Sequence, residues 1–298
     1  MQFDYGQYLC LARGLFRWTL PLVCFLFSPI IPNTLLHGQT GPKQVDRYTV
    51  IDAEEGARRL EAFRLQRLEG DFCFRFELEH LPRRGSTVHY YGTMWGSWNE
   101  NGPISRIELK TGAEREQSIQ LILQNGKDAK AWLRNHEGSP FIALKGEALF
   151  APIVTGVVYT PFDLQMPFIF WQNYSYEGPT RVRSRIAQNF LMYPPEKENA
   201  LDQVHAVRIG IDDAYNTLLR IDIYEAEEQI RSSFSVESFK EVQGQWIVKR
   251  IVMKDNKSRN RTRFKVHGAA VGLNLPDEIF MPETSVPMPV LPDSIFEN

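Results

Sequence analysis

Apolar and polar residues alternate along most of this chain, and the alternation predicts β-strands. In the stretch DFCFRFELEH, one face of an extended chain carries apolar residues only, namely Phe72, Phe74, Phe76 and Leu78. At least ten such runs follow one another, separated by turn signals such as Asn125-Gly126. Consecutive strands joined by short turns predict a curved antiparallel sheet large enough to close or nearly close.

One segment before these strands has helical spacing. Its apolar residues recur at Ala53, Ala57, Leu60 and Phe63. Asp52 is suited to cap the N-terminus of this helix, with Glu55 as its capping-box partner, and Gly70 is suited to end it. The sequence therefore predicts one helix ahead of the sheet.

The middle of the chain, residues 150–178, has no regular period. Prolines at 152, 161 and 167 exclude a long helix or a central strand. Residues 162–171 are nevertheless rich in large apolar side chains. Two interpretations stay open, a buried segment that links two parts of the sheet and a mobile apolar flap over a cavity.

Charge is nearly balanced, with 34 Lys and Arg against 36 Asp and Glu and a net charge of −2. This balance argues against a protein built to bind polyanions, so we expect no nucleic-acid partner. The basic residues Arg259, Arg261, Arg263 and Lys265 alternate with uncharged ones. Their spacing predicts a strand whose convex face meets water, and also a candidate headgroup or partner-binding face, since like charges repel unless acids or an anionic partner oppose them.

The first 39 residues differ from the rest. Their only charges are Asp4, Arg13 and Arg17, and the apolar run that follows has the order of a secretory signal peptide. An uncleaved anchor at 18–36 and a segment with neither role are the alternatives, although prolines make the anchor a poor helix. Export with cleavage would leave Cys73 without an intramolecular disulfide partner.

Common catalytic motifs are absent from the sequence. It contains no G-x-S-x-G, H-E-x-x-H, P-loop or C-x-x-C pattern, and its six histidines are scattered. We therefore expect no enzyme activity, no catalytic residue, no cofactor and no metal site.

Five short motifs follow one another in the second half of the chain. They are Tyr176 to Gly178, Tyr193-Pro194, Tyr224-Glu225, Trp246 to Lys249 and Asn260 to Thr262. In this order they resemble the LolA-like outer-membrane lipoprotein-sorting family. The first half is similar to that family only in its order of predicted elements.

The resemblance implies a fold class and a location. The fold is mainly β (α+β), an unclosed, curved antiparallel β-barrel of about 10–11 strands with an N-terminal helix and a helical or irregular flap over its concave face. The implied location is the periplasm, with the protein either free or membrane-anchored. We expect a signal peptide or anchor at 1–39, the barrel domain at 40–275 and a Pro-rich extended tail at 276–298.

The resemblance also implies a function. The protein would be a monomeric carrier that holds lipoprotein acyl chains, or another lipid, in an apolar barrel cavity. The alternative is a non-catalytic accessory subunit that docks on an envelope or exporter assembly, and an enzyme on the same scaffold ranks third. The candidate cavity residues are Phe72, Phe74, Phe76, Phe162, Met166, Phe168, Phe170, Phe264 and Val266. For any one of them, plain core filling is the more common role.

Overall fold

Thirteen strands form one antiparallel sheet among the residues that the structure describes. Along the chain they are β1 (Asp71–Leu81), β2 (Val88–Asn99), β3 (Gly102–Thr111), β4 (Gln117–Gln124), β5 (Lys130–Arg134), β6 (Ile142–Leu144), β7 (Tyr174–Val182), β8 (Arg185–Met192), β9 (Ala206–Asp212), β10 (Leu218–Ala226), β11 (Gln229–Val242), β12 (Gln245–Asp255) and β13 (Arg261–Leu273). This computed structural model describes residues 50–111, 117–126, 128–195, 203–284 and 286–298. The predicted leader at 1–39 lies outside the described residues.

The strand order is β6-β5-β4-β3-β2-β1-β13-β12-β11-β10-β9-β8-β7. β1 pairs with β13, so the first and last strands of the chain join two meanders at the centre of the sheet. β6 and β7 are the two edges, and within the described ranges no hydrogen-bonded ladder joins them. The predicted fold class, a curved and unclosed antiparallel barrel, is confirmed.

Two features raise the number of strands above the predicted ten or eleven. β6 has only three residues, too few to show an alternating pattern. The run RVRSRIAQNFLMYP, which alternation alone reads as one strand, is divided between β7 and β8 by a turn at Arg183 and Ser184. Arg183 has a φ of 56°, a conformation that Gly or Asn more often signals, so the sequence does not mark this turn.

The predicted helix is present as α1 (Ala53–Arg64). The Asp52 carboxylate accepts a hydrogen bond from the backbone N–H of Glu55 at 2.8 Å, which confirms the predicted N-cap. The helix ends earlier than predicted, because Gly70 belongs to the turn into β1, where it has a φ of 68°. A Cβ at Gly70 would lie 2.9 Å from the backbone oxygen of Leu273, so this close approach requires glycine.

The concave face of the sheet is covered by residues 145–173, here called the crossing segment. It leaves β6 at one sheet edge and reaches β7 at the other, and it contains α2 (Pro161–Gln165) between 3₁₀ turns at Gly146–Phe150 and Pro167–Phe170. Its apolar residues, Leu60 of α1 and the inward side chains of the strands form one buried cluster. This cluster is the main core.

The convex face of β1 to β5 is covered by residues 274–284 and 286–298, here together called the C-terminal strap. Ile279 and Phe280 of the strap are buried in a second apolar cluster with Cys73 and Trp95 of the sheet. The backbone of Glu297 pairs with Ala269 of β13. The proline-rich end of the chain, predicted to be an extended tail, therefore packs against the outside of the barrel.

Candidate functional site

The sequence of the crossing segment forms α2 through a complete capping box. The Thr160 hydroxyl accepts from the Asp163 N–H at 3.2 Å, and the Asp163 carboxylate accepts from the Thr160 N–H at 2.9 Å. Pro161 occupies the first helical position, where a missing N–H costs nothing. Met166 ends the helix in the left-handed conformation, with a φ of 54°. The chain is thereby turned sharply beneath the sheet.

Buried polar side chains attach the second half of the crossing segment to α1 and to the end of β4. Arg64 of α1, only 5% exposed, donates to the carbonyl oxygens of Ile169 at 2.7 Å and Trp171 at 2.5 Å. Asn125 donates to the carbonyl oxygen of Gln165 at 2.5 Å, and the Gln165 amide donates to the backbone of Gln124 at 2.7 Å. These bonds satisfy carbonyl groups that burial would otherwise leave unpaired.

The first half of the crossing segment is attached to the other end of the barrel. The fully buried Thr262 hydroxyl accepts from the Val158 N–H at 3.1 Å, and the Tyr90 hydroxyl donates to the Thr155 carbonyl at 3.0 Å. Thr262 belongs to the Asn-x-Thr motif that the sequence shares with LolA-like proteins. In this chain, that motif residue fixes the covering of the concave face.

The aromatic side chains of the crossing segment fill the core. Phe162 and Phe168 have no exposed surface, and their ring centroids lie 5.7 Å apart. Trp171 packs edge-on to Phe168 at 6.2 Å. Of the two interpretations of this segment, these contacts are those of a buried link.

An apolar cleft of about 500 Å³ lies beside the crossing segment. Its lining comes from the turn between β4 and β5, from the residues after β8 and from the segment itself, namely Gly126, Ala129, Leu149, Phe162, Gln165, Pro167, Phe170, Trp171, Gln172, Asn173, Tyr193 and Pro195. The cleft therefore lies between the crossing segment and the chain next to β4, β5 and β8. Its volume is within the range of about 300 to 1,000 Å³ that is usual for ligand pockets.

Known proteins were compared with this chain by sequence and by structure. A protein-family model described as "Uncharacterized protein" matches residues 194–284. No curated protein matches the sequence. Among solved structures, a DUF1329 family protein from Desulfovibrio piger matches with a TM-score of 0.64 and 14% identity, over 76% of this chain and 95% of the other.

Two further solved structures share the architecture. An outer membrane lipoprotein-sorting protein domain from Vibrio parahaemolyticus has a TM-score of 0.64 at 12% identity, covering 76% of this chain and 94% of its own. A LolA superfamily protein from Nitrosomonas europaea has a TM-score of 0.58 at 15% identity, and the match covers 76% of this chain and 96% of the other. The protein has a LolA-like fold. At these identities the likeness is one of architecture, and function has to be argued from the site.

Only some of the predicted cavity residues meet at the cleft of this LolA-like barrel. Phe162 and Phe170 line the cleft. Phe74 and Met166 are partly buried and Phe168 and Val266 almost fully buried, and all four pack into the main core.

The remaining predicted cavity residues are Phe72, Phe76 and Phe264, and the first two pack against glycines of β2. The rings of Phe76 and Phe264 stack at 4.8 Å, and Phe72 stacks on its neighbour Phe74 at 4.4 Å. A Cβ at Gly92 of β2 would lie 2.5 Å from the Phe76 ring, and a Cβ at Gly96 would lie 2.0 Å from the Phe72 ring. The two glycines, four residues apart on the strand, are a sequence signal of this packing that alternation alone does not show.

The predicted basic face is opposed by acids from a neighbouring strand. Arg263 forms an ion pair with Glu79 of β1, and Lys265 lies opposite Glu77 in the β1–β13 ladder. Arg261 is exposed at the start of β13. Arg259 is not on the strand as predicted, because it precedes β13 with a φ of 61° and is exposed. Acids of β1 thus oppose two of the four basic residues, Arg263 and Lys265, within the sheet.

Two other kinds of site were tested against the described residues. No three or more His, Cys, Asp or Glu side chains there are arranged to hold a metal ion. Within the same residues, none of the helices has the length and apolar character needed to cross a bilayer.

Proposed function

We propose that the protein is an exported carrier that binds lipid, including the acyl chains of lipoproteins, in the apolar cleft. The observation that carries this proposal is the cleft itself, whose wall is formed by Leu149, Phe162, Pro167, Phe170 and Trp171. Each methylene group that leaves water for such a wall contributes about 0.8 kcal/mol.

The position of the cleft supports a route of entry. The crossing segment is fastened at both ends by buried hydrogen bonds, among them those of Arg64 and Thr262. The cleft lies beside the segment, so a ligand can contact its apolar surface without breaking these bonds. An acyl chain would therefore enter beside the crossing segment.

The chemistry of the lining favours binding over catalysis. The polar residues that line the cleft are Gln165, Gln172, Asn173 and Tyr193, and no His, Cys, Asp or Glu is among the described lining residues. General acid–base or nucleophilic catalysis would need such groups in contact with the ligand. We propose a periplasmic location, a leader at 1–39, a carrier domain at 40–275 and a strap-forming tail at 276–298.

An accessory role on an envelope assembly is the second candidate, and one surface favours it. Trp246 and Tyr215 are each 66% exposed and, with Phe239 and Arg185, line a shallow depression of about 260 Å³. The Arg185 guanidinium lies 4.9 Å from the Tyr215 ring. Exposed Trp, Tyr and Arg are the residues enriched at protein–protein contacts.

Extraction of bound lipid tests the carrier proposal. The chain is purified after export in a diderm host, extracted with organic solvent and examined by mass spectrometry, together with Phe170→Asp and the control Phe239→Asp. Both positions are partly buried phenylalanines, but only Phe170 lines the cleft. We expect acyl lipid from the wild type and the control, and several-fold less from Phe170→Asp, because a carboxylate in an apolar wall opposes binding.

Two results would count against the carrier. Folded wild-type protein that releases no lipid would contradict it, and so would equal recovery from both variants. Loss of capture of an envelope protein in Phe239→Asp, with no lipid found in any sample, would instead favour the accessory role.

A further inference from the structure

A second cavity, lined by charged and polar side chains as well as apolar ones, lies at the other side of α2. It has a volume of about 360 Å³, and its lining includes Thr160 and Asp163 from the crossing segment, Arg231 and Ser232 from β11, and Asp255 and Asn260 around the turn between β12 and β13. Phe162 lines the apolar cleft and Asp163 lines this polar pocket, so adjacent residues of α2 serve two different cavities.

Asp163 has one carboxylate oxygen without a hydrogen-bond partner among the described residues. The side chain has no exposed surface. Its Oδ2 accepts from the Thr160 hydroxyl at 2.7 Å and from the Thr160 N–H at 2.9 Å, whereas Oδ1 is unpaired. The Arg231 guanidinium forms an ion pair with Oδ1 at 3.6 Å, a separation longer than an ordinary hydrogen bond, so Oδ1 still lacks a hydrogen-bond donor.

Ser232 is a second buried polar group of the same kind. It is 1% exposed, and within the described part of the chain its hydroxyl has no partner. Buried side-chain polar atoms usually have a partner, so two unpaired ones in the wall of one cavity indicate a group that binds there.

The charges around the pocket select the chemistry of that group. A ligand with an ammonium group would be repelled by Arg231, and a ligand with a carboxylate or phosphate would be repelled by Asp163 and Asp255. The lining therefore disfavours a net charge of either sign on the ligand. A hydroxyl both donates and accepts, which suits carboxylate, guanidinium, hydroxyl and amide groups together. Phe150, Pro152 and Met253 add apolar surface for the carbon atoms of a ligand.

We propose that this pocket binds a small neutral ligand rich in hydroxyl groups, a monosaccharide or a polyol, with Asp163 and Ser232 as its hydrogen-bond partners. Burial raises the pKa of Asp163, and the Arg231 charge and the Thr160 hydrogen bonds oppose that rise only in part. A hydroxyl remains a suitable partner in either protonation state, because it accepts from the acid and donates to the carboxylate.

Binding of simple probes to the purified full chain tests the proposal. Glucose and glycerol are compared with ethanolamine and acetate by saturation-transfer NMR and calorimetry. We expect glucose or glycerol to bind and the two charged probes to bind more weakly. Ser232→Ala should lower the affinity for the hydroxylated probe roughly tenfold, because one hydrogen bond to the ligand is lost. The substitution should not lower the melting temperature of the protein.

Ser235→Ala is the matched control, because Ser235 lies on the same strand but does not line the pocket. It should leave binding unchanged. The proposal is overturned if neither hydroxylated probe binds at tens of millimolar, if ethanolamine or acetate binds more tightly, or if the two serine variants weaken binding equally.

Discussion

The two faces of the sheet are covered by segments of different character. The crossing segment on the concave face contains Phe162 and Phe168 with no exposed surface, whereas the C-terminal strap on the convex face leaves Met281 40% and Val290 97% exposed. The crossing segment lies inside the curved sheet, so strands contact it from several sides. The C-terminal strap lies outside the sheet, so the sheet contacts it from one side only. Only the strap therefore has the freedom to detach in part while the barrel stays folded.

The polar contacts of the two coverings differ in the same way. The crossing segment accepts hydrogen bonds from Arg64, whose side chain is almost completely buried. The strap's inner part is held similarly, since Arg106 donates to the Ile279 carbonyl at 2.8 Å, and burial beside Arg134 lowers the pKa of Arg106 to about 10. At the end of the strap, Glu297 pairs with Ala269 through the backbone, while the ion pair between Arg75 and the 90% exposed Asp293 contributes little in water.

Removal of a buried ring from the crossing segment should have the largest effect. Phe168→Ala should lower the free energy of unfolding by about 4 kcal/mol, because it removes apolar contacts and leaves a cavity. Chemical denaturation measures the change, and Val290→Ala, at a 97% exposed position, is the control expected near zero. Similar losses from both variants would break the contrast between the coverings.

Loss of the buried Arg64 side chain should cause the second largest loss of stability, after Phe168→Ala. Arg64→Met should cost about 3 kcal/mol, because the carbonyl oxygens of Ile169 and Trp171 lose their donor inside the protein. Arg58→Met, on the exposed side of the same helix, should change stability by less than about 0.5 kcal/mol. An Arg64 variant as stable as the Arg58 variant would show that the crossing segment needs no such anchor.

The strap should be less sensitive than the crossing segment. Phe280→Ala should lower the unfolding free energy by about 2 kcal/mol, mainly through lost burial, because a segment at the surface can settle into the space left. The same denaturation experiment measures it. A loss larger than that of Phe168→Ala would reverse the order of the two coverings.

Acid should weaken the convex face through Glu77. Burial alone would raise the pKa of Glu77, but hydrogen bonds with His89 at 2.6 Å and His267 at 2.7 Å, and their charges, lower it overall. A carboxyl whose pKa is lower in the folded state stabilises the fold above its ordinary value of 4.5 and loses that contribution as the pH falls below it.

Glu77→Gln should therefore reduce the fall in unfolding free energy between about pH 5 and pH 3. Of the four substitutions, we expect this one to have the smallest effect on stability. The measurement is the difference in unfolding free energy between the two pH values, from denaturation curves of the wild type and the variant. A variant with the full wild-type pH dependence would show that Glu77 does not contribute to acid sensitivity.

Local patterns predicted much of the fold. The apolar alternation from Phe72 to Leu78 identified β1, and the Asp52 cap identified the start of α1. The turn at Arg183 was missed because an arginine in the left-handed conformation gives no composition signal. Of the residues predicted to line a lipid cavity, Phe162 and Phe170 line the cleft, and the strand phenylalanines fill the core, because alternation shows which face is apolar but not how completely that face is packed.

The sequence by itself determined α1 and most of the strands, because helix and strand periods depend on residues only a few positions apart. The tertiary structure decided which elements meet, because contacts such as that of Glu79 with Arg263 join residues 184 positions apart. It also decided that the end of the chain covers the convex face, and that one face of α2 lines an apolar cleft while the next residue lines a polar pocket. Pairing and burial depend on the curvature of the whole sheet, which no short stretch of sequence encodes.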